Sequence, residues 1–303
     1  MSVAAAERIG RALISWYLSN GRTLRIRERT DPYSVLVVEV MAQQTQISRV
    51  ETLAERFFVR FPTLADLARA ETAEVLEAWR GLGYNRRALA LHRAAATAHA
   101  LGGLPKEVEA LQELPGIGPY TARAVAAIAY GGRSIPVDVN IARVVGRILG
   151  AEGELKPREL QEAADRLGEP LGDGEAAAWA QAAMDLAATH CTAAAPRCGD
   201  CPIAADCASA GRVAAQPPRR ERGSATPFPA TRRWLRGRII DELRDAGAEG
   251  AVISGARGLH DAGAVDAALE GLVAEGLVEP ADDGRVRLPR RGAQGAAPSI
   301  LSS

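Results

Sequence analysis

A chain of 303 residues with 47% hydrophobic residues can bury two moderate domains, or three if one is small. Its 37 basic and 37 acidic residues balance, so net charge favours neither nucleic acid nor membrane as a partner, and no apolar run is long enough to span a bilayer. Aromatics contribute only 4% and alanine is abundant, which points to a helical, aliphatic core. The start "MSVAAAERIG" lacks the basic and apolar regions of a signal peptide, and the expected compartment is the cytoplasm.

Helical periodicity dominates from residue 3 to about 190, with Gly and Pro punctuation at "NGRTL", "RFPTL", "GLGY", "LPGIGPY" and "YGGRSIP", and without long strand-type alternation. This predicts an all-α body. In "DPYSVLVVEVMAQQTQ" Asp31 fits an N-cap and Pro32 the first helical position. Val35, Val38, Glu39 and Ala42 then share an i, i+3, i+4, i+7 stripe, which places Glu39 on the buried face. An ionised carboxylate there is costly unless paired, and its pKa rises. The alternative is a helix-edge glutamate whose head reaches water.

Further along, "LPGIGPYTARAVAAIAYG" offers Gly116 and Gly118 in a tight turn, Pro119 at a helix start and Gly131 past its end. Two glycines let a backbone approach closely, and free N–H groups at a helix start favour an anion, although many such turns only pack helices together. Asp138 precedes a helix with the stripe Ile141, Val144, Val145, Ile148 and is expected to cap it. All four cysteines follow as C-x6-C-x2-C-x5-C: Cys191, Cys198, Cys201 and Cys207. Such clustering argues for a metal over disulfides. Zinc and a [4Fe–4S] cluster both suit four thiolates, but a zinc ribbon normally has two C-x2-C knuckles and this chain has one.

Residues 211–240 carry eight arginines, Arg212, Arg219, Arg220, Arg222, Arg232, Arg233, Arg236 and Arg238, against one acid, Glu221. The run reads as a phosphate-following segment or a solvated linker. Beyond it, "TRRWLRGRIIDELRDAG" and "GAVDAALEGLVAEGLVEP" are helical, and "LVEPADDGRVRLP" suggests a hairpin around "DDG". Helix, helix, hairpin suggests a small winged-helix-like α+β module.

The cysteine spacing after "WAQAAMDLAATHC" resembles the cluster loop of the endonuclease III and MutY branch of the helix-hairpin-helix DNA glycosylases, and "LPGIGPY" resembles their DNA-binding hairpin. The likeness covers roughly residues 5–210. "DPYSVLVVEVMAQQTQ" and "WRGLGYNRRALALH" are similar to segments of the MutY-type adenine glycosylases, which act on adenine opposite oxidised guanine. Tyr120 stands where the lyase-active endonuclease III branch has a lysine, and the chain's two lysines, Lys106 and Lys156, lie outside that motif.

The resemblance implies a helix-hairpin-helix glycosylase fold and a monofunctional enzyme of base excision repair with a [4Fe–4S] cluster on Cys191, Cys198, Cys201 and Cys207. Its implied partner is duplex DNA with A:8-oxoguanine or A:G mispairs, met by a monomer. Glu39 takes the place of the acid that protonates adenine, Asp138 that of the carboxylate that stabilises or traps the sugar cation, and Tyr120, at the lyase lysine's position, joins them among the candidate catalytic residues. Gln44 and Tyr84 correspond to residues that wedge into the duplex, Thr45 and Leu82 to residues that hold the opposing purine, and Gly116 and Gly118 to the phosphate-binding hairpin. Their ordinary readings are surface polars and packing residues.

The implied organisation is a six-helix domain at 25–136, a cluster domain from 1–24 and 137–210, a basic linker at 211–230, a winged-helix-like module at 231–289 and a disordered tail at 290–303. Asn85 and Arg86 depart from the family's "GLGYYARA", Val139 and Ala42 from its usual residues, and 231–289 is too short and helical for the Nudix-like domain of many members. Two alternatives stand beside this reading. One is an endonuclease III-like lyase on oxidised pyrimidines, disfavoured by Tyr120 and Glu39. The other is a non-catalytic iron–sulfur regulator, which leaves both carboxylates unexplained.

Overall fold

The computed structural model describes residues 1–213, 226–290 and 292. Most of the expected linker, with Arg219, Arg220 and Arg222, and nearly all of the expected tail lie outside the described residues. The helices are α1 (Val3–Asn20), α2 (Pro32–Ala42), α3 (Ile47–Arg60), α4 (Leu64–Arg69), α5 (Thr72–Ala78), α6 (Arg86–Ala100), α7 (Val108–Gln112), α8 (Pro119–Tyr130), α9 (Val139–Leu149), α10 (Pro157–Gly168), α11 (Glu175–Thr189), α12 (Arg232–Ala246) and α13 (Ala262–Ala274). Short 3-10 turns and two short strands, β1 (Glu279–Pro280) and β2 (Val286–Arg287), accompany them. Among the described residues the fold is all-α apart from this C-terminal hairpin.

Local chemistry sets the helix ends that matter for function. The Asp31 side chain accepts from the Ser34 N–H at 2.9 Å, and Pro32 opens α2. The expected amphipathic stripe on α2 is corrected, however. Tyr33, Ser34, Val35, Leu36, Val37, Val38, Val40 and Met41 are all buried, so the helix is enclosed on every side, and between Tyr33 and Met41 only Glu39 is less buried. Periodicity carries no information about facing when all faces are covered.

Contacts divide the chain into two compact units. The first comprises Met1–Glu39, Lys106–Gln112 and Gly118–Arg220. Its core joins α1, α9, α10 and α11 through Ile9, Leu13, Ile141, Val145, Leu167, Trp179 and Leu186. One carboxylate, Asp185, is buried among them at 1% exposure, where Arg22 and Arg27 both pair with it. These guanidinium groups hold its pKa below the usual carboxylate value despite burial.

The second unit comprises Val40–Pro105, Glu113–Ile117 and Glu221–Ser303. In α3–α6, Phe57 meets Trp79 edge-on at 6.0 Å, and the alanines Ala88, Ala94, Ala95 and Ala98 of α6 are fully buried, allowing close helix approach. The same unit contains α12, α13 and the hairpin. Leu235, Ile239, Ile240 and Leu243 of α12 and Val265, Ala268 and Leu272 of α13 are buried. Strands β1 and β2 pair antiparallel with Glu279 opposite Arg287, and Ala251 bridges to Val286. This is the helix, helix, hairpin order of a winged-helix-like module.

Candidate active site and cysteine loop

Glu39, Tyr120 and Asp138 meet in the first unit from α2, α8 and the N-terminus of α9. Glu39 keeps some accessible area, but interior density surrounds its carboxyl, and this desolvation pushes its pKa up to about 7. A hydrogen bond from Tyr120 and the charge of Arg27 pull it down, while the charge of Asp138 pushes it up. Tyr120 is itself raised well above the ordinary phenol value by burial and by the two carboxylates, so it stays a neutral donor.

Asp138 is the N-cap of α9, as its sequence position predicts. Its Oδ1 accepts from the Asn140 and Ile141 N–H groups at 2.9 and 2.7 Å, and its Oδ2 from Asn140 Nδ2 at 2.9 Å. Three N–H donors and the N-terminus of α9 thus converge on its carboxylate. The contacts continue: Arg143 donates to Asn140 Oδ1 at 3.3 Å, to the Cys191 carbonyl at 2.8 Å and to the Ala187 carbonyl at 3.1 Å. Asp138 is thus joined to the cysteine loop by side chains of a single helix.

Cys191, Cys198, Cys201 and Cys207 line one cavity, together with Arg147, Leu186 and Ile203. They form no disulfide. Burial raises the Cys207 thiol and takes the Cys201 thiol to about 11, each with a contribution from neighbouring sulfurs. Arg147, 2% exposed, reaches the Cys191 Sγ at 3.4 Å and the Thr192 and Ala193 carbonyls. Among the described residues no three His, Cys, Asp or Glu side chains converge tightly enough for a single metal ion. Four free thiols border a single cavity, a donor set of the soft type that thiophilic metals take.

The candidate DNA-contact residues of the second unit sit on two turns tied together by Arg87, which the sequence reading did not single out. Its guanidinium donates to the Val40, Met41 and Gln43 carbonyls at 2.9, 3.0 and 2.5 Å, and to Thr45 Oγ1, the Leu82 carbonyl and the Gly83 carbonyl at 3.2–3.3 Å. Gln44 and Tyr84, at φ 56° and 47°, are non-glycine residues in the left-handed region, one on each turn. Gln44 and Tyr84 are exposed, Thr45 is half-buried and Leu82 is buried. In the hairpin, Gly116 has φ 76°, and a Cβ there would lie 2.5 Å from that of Ala90. Gly118 caps α8 with nothing within 4 Å of the corresponding position.

Also unmarked by the sequence reading were Arg22, Arg27, Asp185, Asn140, Arg143 and Arg147. Only Asp185 carried a local signal, a lone carboxylate in the alanine-rich "WAQAAMDLAATHC". The arginines are spread among the chain's many others, and their partners come from distant segments.

Residues 37–170 match the HhH-GPD superfamily base excision DNA repair proteins. An adenine DNA glycosylase of Mycolicibacterium smegmatis is 39% identical over 97% of this chain and 99% of its own length. The chain belongs to the adenine DNA glycosylases of that superfamily. Another adenine DNA glycosylase, from Mycobacterium tuberculosis, is 40% identical over 92% of this chain and 93% of its own, and one from Homo sapiens is 39% identical over 70% of this chain and 41% of its own. A match over 97% includes the C-terminal module. Among solved structures, a thermostable thymine-DNA glycosylase superposes with a TM-score of 0.64 at 25% identity, covering 70% of this chain and 100% of that one. A trapped endonuclease III–DNA covalent intermediate, covering 70% and 98%, gives 0.59 at 20% identity, a likeness of fold. As an adenine DNA glycosylase, this chain is a DNA-binding enzyme of base excision repair.

Proposed function

We propose that this glycosylase hydrolyses the N-glycosidic bond of adenine opposite 8-oxoguanine or guanine, without lyase activity. The observation that carries the proposal is the acid–anion pair: Glu39 held near neutrality at about 7 beside Asp138, which accepts three N–H hydrogen bonds. Adenine leaves poorly unless protonated, and its departure creates an oxocarbenium-like sugar, so the reaction calls for a neutral acid and a fixed anion together. Glu39 supplies the proton to N7, and Asp138 stabilises or covalently traps the cation before water attacks. Tyr120 orients the Glu39 carboxyl and limits the rise of its pKa. The target base first leaves the stack, which takes a few kcal/mol and is easiest for a mispaired base; Gln44 and Tyr84 wedge the duplex open, while Thr45 and Leu82 hold the opposing purine.

Cys191, Cys198, Cys201 and Cys207 would hold a [4Fe–4S] cluster, which would cross-link the loop and supply a redox-active centre away from the carboxylates. Tyr120 in place of an amine argues against a Schiff base at C1′. Lys156 caps α10, and Lys106 lies over the Tyr130 ring at 5.9 Å.

The test is incubation with duplexes containing A opposite 8-oxoguanine, A opposite guanine, or an oxidised pyrimidine. Strand cleavage at A that requires alkali, with no borohydride-trapped complex, is the expected result. Alkali-independent cleavage or efficient trapping would convert the reading to a lyase, and intact duplex to a binding protein.

A further inference from the structure

We infer that the C-terminal module holds the turn bearing Tyr84 in register, and that Arg233 is a positioning residue for the Tyr84 side chain. The inference rests on the proposed role of Tyr84 as a wedge.

Tyr84 combines a left-handed backbone with 39% exposure, so neither local conformational preference nor burial keeps its ring in one place. Arg87 of α6 lies 5.6 Å from its ring centroid, and side chains of the module supply further contacts. Arg233, near the start of α12, donates a hydrogen bond to the Tyr84 hydroxyl. Its guanidinium carbon lies 4.8 Å from the Tyr84 ring centroid and 4.8 Å from that of Phe228. Among the described residues no carboxylate pairs with Arg233, so its charge is directed at the two rings and the phenol.

The adjoining residues are docked by the same module. Arg244, 7% exposed, donates to Asn85 Oδ1 at 3.1 Å and to the Leu76 carbonyl at 2.7 Å. Glu275, at the end of α13, lies 3.5 Å from Arg86, and Asp245 accepts from Arg80 at 2.9 Å. Asn85 and Arg86 are the two positions at which this chain departs from "GLGYYARA". The departures and the docking contacts coincide, so the turn is rebuilt to receive the module. Arg244, buried and multiply bonded, is the anchor. Exposed Arg233 is the adjustable contact whose loss leaves the core intact.

A residue that acts through another loses its effect when that other is removed, which a double-mutant cycle reads directly. The full chain, Arg233→Ala, Tyr84→Ala and the double variant are compared in single-turnover excision of adenine opposite 8-oxoguanine. A second readout is the fluorescence of 2-aminopurine placed beside the mispair, which reports unstacking without catalysis. Arg233→Ala is expected to lower both the unstacking signal and the rate, the rate by about tenfold, with an unchanged melting midpoint. In the Tyr84→Ala background the same substitution should change neither.

An equal loss in both backgrounds would overturn the inference and make Arg233 a direct contact to the DNA backbone. No loss in the wild-type background would show the contact to be idle. Wild-type protein that unstacks the mispair but releases no adenine would overturn the proposed reaction while leaving the positioning role standing.

Discussion

Glu39, the proposed general acid, links its protonation state to stability as well as to the proposed chemistry. Its folded pKa of about 7 exceeds the ordinary value of 4.5. Between those values the folded state holds a proton that the unfolded chain has released, so stability falls as pH rises across that window, and the loss is complete above it. Discounted for the residue's partial exposure, the penalty is about 2 kcal/mol. Glu39→Gln should remove this pH dependence and raise the melting midpoint at pH values above that folded pKa, as calorimetry across pH will show. The same change should reduce single-turnover excision by about 10²-fold or more, because it removes the proposed general acid. Tyr120→Phe deletes the hydrogen bond that lowers the Glu39 pKa. The alkaline limb of its rate profile should therefore move upward, and a downward or absent shift would contradict the assigned contact. Asp138→Asn should cost about 10²-fold or more in rate with little loss of stability, since Asn caps helices about as well as Asp.

At the scale of the element, the hairpin before α8 separates two glycines that look equivalent in sequence. Gly116 is required by the fold itself, through its positive φ and the 2.5 Å approach to the Ala90 Cβ. Gly116→Ala is expected to destabilise the protein by roughly 1–3 kcal/mol, measured by thermal or denaturant unfolding. Gly118 has an ordinary φ of −85° and open space around it, so Gly118→Ala should leave stability nearly unchanged. If a DNA phosphate meets the start of α8, that variant should still bind duplex more weakly, because the added methyl occupies the approach. Unchanged binding would reduce the hairpin to a packing turn.

For the whole molecule, the decisive question is what joins the four cysteines. Anaerobically purified protein is expected to be brown and to contain about four irons per chain. Cys198→Ser should reduce the visible absorbance and lower the melting midpoint, since the loop from Cys191 to Cys207 includes only short helical turns of three residues. Stoichiometric zinc without iron, in protein made under iron-replete conditions, would overturn this assignment. The path from Asp138 through Asn140 and Arg143 to the Cys191 carbonyl places the loop in mechanical register with the candidate anion. Loss of the cluster should thus slow excision as well as destabilise the first unit.

The sequence by itself determined the helices, their caps and the residue types of the site, because these depend on near neighbours. Asp31 and Pro32, Asp138, the glycine turns and the cysteine spacing were all legible as short-range chemistry. The facing of α2 was not, since a helix covered on every side has no periodic signal to read. Tertiary structure alone decided that Tyr120 and Asp138 act on Glu39, that Arg22 and Arg27 neutralise Asp185, and that Arg87 joins two turns about 40 residues apart. It also decided the use of Asn85 and Arg86, which read as departures from a family pattern until the C-terminal helices supplied Arg244 and Glu275. Pairings of this kind depend on which distant segments meet, and a charged side chain bears no mark of its partner in the linear order of residues.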